Sequence, residues 1–119
     1  MRIVVTALGC VLLAGCAATV GELEAKGPME SFHSSKPADE LADCVYLKWR
    51  DQKFNGESYG ANKATAGGVT SVTVEDGRGA SLLAQIRPGA GDTTLDFYKQ
   101  DYVAERRARV RVEAVRQCL

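Results

Sequence analysis

The chain has 119 residues, with 15 basic and 15 acidic side chains and a single histidine. That length holds one domain with one core, and the lack of net charge gives no argument for a nucleic-acid partner. Four cysteines make the redox compartment the first question.

After Arg2 the chain enters an apolar or small-residue stretch, Ile3 to Gly15. At about 13 residues it is too short to cross a bilayer, which takes about 20. A charged start, an apolar middle and small residues before a cut fit a secretory signal. The cut can precede Cys10 or Cys16. Cys10 follows Ala7-Leu8-Gly9 and leaves only Ile3 to Gly9 as the apolar segment, at the lower limit for export. Cys16 follows Leu13-Ala14-Gly15 and leaves a full-length segment. An ordinary signal peptide with a chance cysteine is the plainer alternative.

Leu13-Ala14-Gly15-Cys16 resembles the lipobox of bacterial lipoproteins. The resemblance implies that the Cys16 sulfur receives a diacylglycerol, that the peptide is cut before Cys16, and that the new amine is acylated. Two or three acyl chains, at about 0.8 kcal/mol per buried CH₂, anchor a protein stably without a spanning segment. Ala17-Ala18 resembles the sorting residues of lipoproteins bound for the outer membrane, where an aspartate retains others in the inner membrane. The thin positive region, Arg2 and the start amine, departs from the family pattern. The likeness is specific to residues 1–17; beyond them the chain resembles small bacterial lipoproteins only in size.

With Cys10 removed and Cys16 acylated, Cys44 and Cys118 remain in an exported protein, where disulfides persist. Closing a loop of about 75 residues is worth roughly 4–5 kcal/mol in the chain-entropy picture. Two separate buried thiols or an intermolecular bridge are the alternatives. No C-x-x-C occurs.

Ala17 to Ser34 holds few large apolar residues and includes Gly21, Gly27 and Pro28. It reads as a flexible tether reaching roughly 20–25 Å, with Phe32 as the one residue able to dock. Ser35-Lys36-Pro37-Ala38-Asp39-Glu40 then reads as a helix start, with a serine cap, a proline and two acids at the positive end of the dipole. Leu41, Cys44, Val45 and Trp49 share one helical face up to about Arg50.

Asp51 to Gly68 is Gly-, Asn- and Ser-rich loop, with a weak strand near residues 53–60 around Phe54 and Tyr59. Val69 to Val74 alternates as a strand, with Val72 and Val74 on one side. After the turn Glu75 to Gly79, Ala80, Leu82, Ala84 and Ile86 form the inward face of a second strand. After Pro88 to Asp92, Leu95 and Phe97 do so in a third. Short glycine turns between adjacent strands make an antiparallel meander. In the tail, alternation would suit a strand, but Ala108, Val112, Val115 and Leu119 also keep helical spacing in a helix-favouring segment. A helix also brings Cys118 over the sheet toward Cys44.

The expected fold class is therefore α+β. It has an N-terminal helix, a meander of three strands (four if residues 53–60 add one) and a C-terminal helix, both helices on one sheet face. The expected layout is a signal peptide over 1–15, a lipidated N terminus and tether over 16–34, and the stapled domain over 35–119.

His33 has no partner placed by spacing for catalysis or metal binding, and dipole compensation explains Asp39, Glu40 and Asp43. Arg106, Arg107, Arg109 and Arg111, with Arg116, form a candidate binding patch for anionic lipid, glycan polymer or an acidic partner, or else a solvated helix face. The glycines fit no phosphate-loop or dinucleotide pattern, and no cofactor is implied. The expected function is a non-enzymatic binding or accessory lipoprotein of the cell envelope. It would be held in the outer membrane through acylated Cys16, facing the periplasm, and would act on an envelope protein or polymer. The alternative is a tethered inhibitor of a periplasmic hydrolase, resembling the small lipoproteins that block lysozyme, with Asn55-Gly56-Glu57-Ser58-Tyr59-Gly60 as the inserting loop.

Overall fold

Ala80 to Ile86 forms a run of seven buried residues, too continuous for a strand with one wet face. In the computed structural model, which describes residues 14–119 and side chains from Val20 onward, this run lies in the central strand of a sheet covered on both faces. The order along the chain is α1 (Ala14–Lys26), β1 (Glu30–Ser34), α2 (Ala38–Asp51), β2 (Asn62–Ala66), β3 (Val69–Asp76), β4 (Gly79–Pro88), β5 (Thr93–Lys99) and α3 (Glu105–Cys118). The five strands run antiparallel in the order β1-β5-β4-β3-β2.

The α+β class, both expected helices and the meander β3-β4-β5 are present. α2 and α3 share one sheet face, packed over Val72, Val74, Leu82, Ala84, Ile86, Leu95 and Phe97. At its centre Trp49 meets Phe97 edge-on, with ring centroids 6.0 Å apart, a geometry that aligns the ring quadrupoles favourably. Cys44 and Cys118 are joined in a disulfide that links α2 to α3 across 74 residues of chain.

The sheet has five strands where three or four were expected. β2 lies at Asn62–Ala66 rather than at 53–60, and every one of its residues is exposed, so it carries no apolar alternation. It is a strand because Gly67 and Gly68, both at positive φ, make the two-residue turn that matches strand twist and return it along β3 in register Ala66 to Val69. Around residue 54 the chain instead makes a tight turn with a single bridge from Phe54 to Glu57.

Ala17 to Ser34 is not a flexible spacer. α1 covers the other sheet face, with Leu23 buried against Ala80, Leu83 and Tyr98, a burial worth about 1.5–3 kcal/mol. Its C-terminal end is tied by Lys26 Nζ to Gln100 Oε1 at 3.3 Å and Asp101 Oδ2 at 3.1 Å. β1 pairs with β5 and buries Phe32 and Ser34. Each element has one or two inward anchors, too few to produce a period. The folded domain therefore begins before residue 35.

Two local expectations are also corrected. Ser35 does not cap α2: Pro37 occupies the cap without a side-chain bond. Ser34 Oγ accepts from Lys36 N at 3.1 Å, and Thr93 Oγ1 donates to Lys36 O at 2.7 Å. Ala80 does not share a face with Leu82. The β3–β4 register shifts at Val74/Glu75, Ser81 Oγ donates to Val74 O at 3.0 Å, and this bulge turns Ala80 toward α1.

The N-terminal stretch through Leu13, including Arg2 and Cys10, lies outside the described residues, as does the Cys16 side chain; the Cys16 backbone falls in the first turn of α1. Among the described residues no helix is long and apolar enough to cross a membrane.

Candidate functional site

α3 carries its arginines into very different surroundings. Arg111 is fully buried. Its Nη1 donates to Trp49 O at 2.8 Å and to Gln52 Oε1 at 3.0 Å, and its guanidinium carbon lies 4.8 Å from the Phe54 ring centroid. Its Nε has no partner among the described residues. Burial, followed by the positive charge of Arg107, lowers its pKa to about 10, so it remains a cation at neutral pH. Arg111 therefore cannot touch a partner, which takes it out of the expected surface patch.

Arg107, one helical turn earlier, sits over both Phe54 at 5.3 Å and Tyr59 at 5.1 Å. Arg116 pairs with Glu30 and covers Phe32 at 5.2 Å, tying β1 to α3. Arg106 and Arg109 are exposed. Among the described residues, Lys53, Arg106, Arg107, Arg109 and Arg111 form no ion pair with a carboxylate.

Phe54 anchors the segment facing this helix. Phe54 N donates to Glu57 O at 2.8 Å and Glu57 N to Phe54 O at 3.0 Å. Asn55 and Gly56 both take positive φ, 53° and 80°, as a type I′ turn requires. Ser58 Oγ donates to Arg50 O at 3.1 Å, fixing the turn to the end of α2.

Between this turn and the first turn of α3 lies a cavity of about 470 Å³. Lys53, Arg106 and Arg107 supply its charge, and Phe54, Tyr102, Asn55, Ala104 and Val110 complete its wall. Among the described residues no carboxylate lines it. Tyr102 is positioned by donating to Asp76 Oδ2 at 2.9 Å, with Arg78 stacked 4.8 Å from its ring; burial and that bond raise its pKa. A shallower groove of about 690 Å³ runs along the outer side of α3, lined by Glu105, Arg106, Arg109, Val110, Glu113 and Ala114 among others. Its two acids balance its two arginines, so it carries no excess charge.

The other sequence candidates lie elsewhere. His33 Nδ1 on β1 is 2.8 Å from Asp92 Oδ2 in the β4–β5 turn, both exposed, and Ser34 Oγ instead donates to Leu119 O at 3.1 Å, so no nucleophile–histidine–acid chain forms there. Asp43 pairs with Lys63 across to β2, while Asp39 accepts from Glu40 N at 3.0 Å. Among the described residues no group of three His, Cys, Asp or Glu is placed to hold a metal.

Of the expected patch, the structure brings Arg106 and Arg107 together at the cavity and separates Arg109, Arg111 and Arg116 from it. Lys53, Phe54 and Tyr102 are the additions. Asn55-Gly56 carries the sequence signal for a two-residue turn, which locates Lys53 and Phe54 at its base; Tyr102 has no such signal. Compared with protein-family models, with curated proteins and with solved structures, the chain matches none.

Proposed function

We propose that the chain is the precursor of a lipid-anchored cell-envelope protein, cut before Cys16 and acting without catalysis as a binding or accessory module. The observation that supports this reading is the bond between Cys44 and Cys118. Once Cys16 is assigned to lipid, these two cysteines are the complete remaining set, and a disulfide belongs to an oxidising compartment. Ala17-Ala18 favours the outer membrane, with the domain facing the periplasm. Since α1 begins at Ala14 and Leu23 is buried in it, the acyl chains on Cys16 would lead into the packed helix with no spacer between. Cys16→Ser in the native host tests the reading: the variant should lose acylation and leave the membrane fraction. An acylated, membrane-bound Cys16→Ser protein would overturn it.

A second reading, a tethered inhibitor of a hydrolase such as lysozyme, is supported by the exposed tip Asn55-Gly56-Glu57, held rigid by its reciprocal backbone bonds. Undiminished lysozyme activity in excess protein would end it.

A further inference from the structure

The cavity between the Phe54–Glu57 turn and α3 is short of negative charge. Lys53, Arg106 and Arg107 line it without a carboxylate, and none of the three forms an ion pair among the described residues. Behind the wall, Arg111 is a further cation that is fully buried, its Nε without a partner among the described residues. Arg107 and Arg111 both stack on Phe54, so the ring that forms part of the wall has a guanidinium charge on each of two neighbouring contacts. Three positive charges in the wall of one cavity, with the Arg111 charge behind it, raise their mutual repulsion. Solvated surface charges would simply spread apart, but Arg107 and Arg111 are held by the rings and by backbone carbonyls. Glu105, the acid in the same helical turn, faces the outer groove and reaches Lys99 at 3.8 Å.

We propose that this cavity is a binding site for a phosphate group, held by Lys53, Arg106 and Arg107 beside the rings of Phe54 and Tyr102. Three basic side chains from two segments line the cavity, and together they match a tetrahedral group with several charged oxygens; a lone carboxylate is satisfied by one bidentate arginine. The positive end of α3 adds to the same field at Ala104. The apolar wall suits a phosphate carried on an organic group, such as a phospholipid head group, although inorganic phosphate shares the charged chemistry. This inference deepens the binding-module reading and does not depend on the lipid anchor.

The test is thermal unfolding of the full-length chain in detergent at constant ionic strength. Its ligands are inorganic phosphate, glycerophosphoglycerol as a head-group diester, acetate and chloride. Inorganic phosphate or the diester at about ten times its Kd should raise Tm by about 5 °C over chloride, and whichever does so more strongly identifies the source of the phosphate. Lys53→Gln and Arg106→Gln change exposed side chains; each should weaken that binding about tenfold while leaving Tm in chloride unchanged or higher. Acetate matching phosphate would overturn the proposal in favour of a carboxylate site. Equal shifts with all anions, or the same phosphate shift in a Lys53→Gln/Arg106→Gln double variant, would overturn it outright. Membrane fractionation of Cys16→Ser is read separately, so failure here leaves the anchor reading untouched.

Discussion

Trp49 and Arg111 each bond to the other's backbone carbonyl: Trp49 Nε1 donates to Arg111 O at 3.1 Å, and Arg111 Nη1 donates to Trp49 O at 2.8 Å. The two residues are 62 apart in sequence and clamp the C-terminal end of α2 to the middle of α3. Gln52 Nε2 extends the clamp to Val110 O at 3.2 Å. Cys44–Cys118 joins the middle of α2 to the C-terminal end of α3. One covalent and one polar staple thus fix how the pair lies across the sheet, and with it the wall of the cationic cavity.

Arg111 is a buried cation without a counter-ion among the described residues, and such groups are retained at a cost in stability. Arg111→Met should fold and be more stable by about 1–3 kcal/mol at pH 7, measured by urea unfolding. The folded pKa is lowered to about 10, so between there and its ordinary value the unfolded chain binds more protons. The penalty is therefore complete below pH 10 and is relieved only as pH rises above it. The difference between wild type and Arg111→Met should be flat from pH 5 to 9. A strongly destabilised Arg111→Met would mean that the two hydrogen bonds outweigh the desolvation.

The disulfide should account for a large share of the stability. Cys44→Ser/Cys118→Ser should lose about 4 kcal/mol, from the entropy of the open loop, seen as a lower urea midpoint without reductant. Thiol titration of the unfolded, unreduced protein should find neither cysteine reactive. Two reactive thiols would contradict the staple.

α1 should contribute to the fold rather than trail from it. Leu23→Ala removes a fully buried side chain and should cost about 2–3 kcal/mol. A flexible spacer would make the substitution silent. Limited proteolysis gives a second readout: the bonds from Val20 to Lys26 should resist cleavage until global unfolding.

Gly56 at φ 80° meets no atom within 4 Å of an added Cβ, so only backbone strain opposes substitution. Gly56→Ala should therefore destabilise by about 1 kcal/mol and loosen Phe54, with a matching loss of phosphate affinity in titration calorimetry. Unchanged affinity would show that the turn does not shape the cavity.

The helices and the central meander were legible in the sequence because each buries a full face. Leu41, Val45 and Trp49 repeat at helical spacing, and Val72 and Val74 alternate. β1, β2 and α1 were not legible, and for one reason. Phe32 and Leu23 are solitary anchors, and Asn62 to Ala66 buries nothing, so these segments take their structure from neighbours that no local pattern records. The arginines illustrate the same limit. Five residues of one chemistry along α3 look alike in sequence, yet Phe54, Trp49 and Glu30, brought in from distant segments, make Arg111 a core residue, Arg107 a stacked wall residue and Arg116 half of an ion pair.

Intact-mass spectrometry of the protein extracted from membranes is the most direct test of the proposed lipid anchor. The expected mass is that of a chain beginning at Cys16, increased by a diacylglycerol and an amide-linked acyl group and decreased by two hydrogens for the Cys44–Cys118 bond. An unmodified mass, or a chain beginning anywhere else, would contradict it.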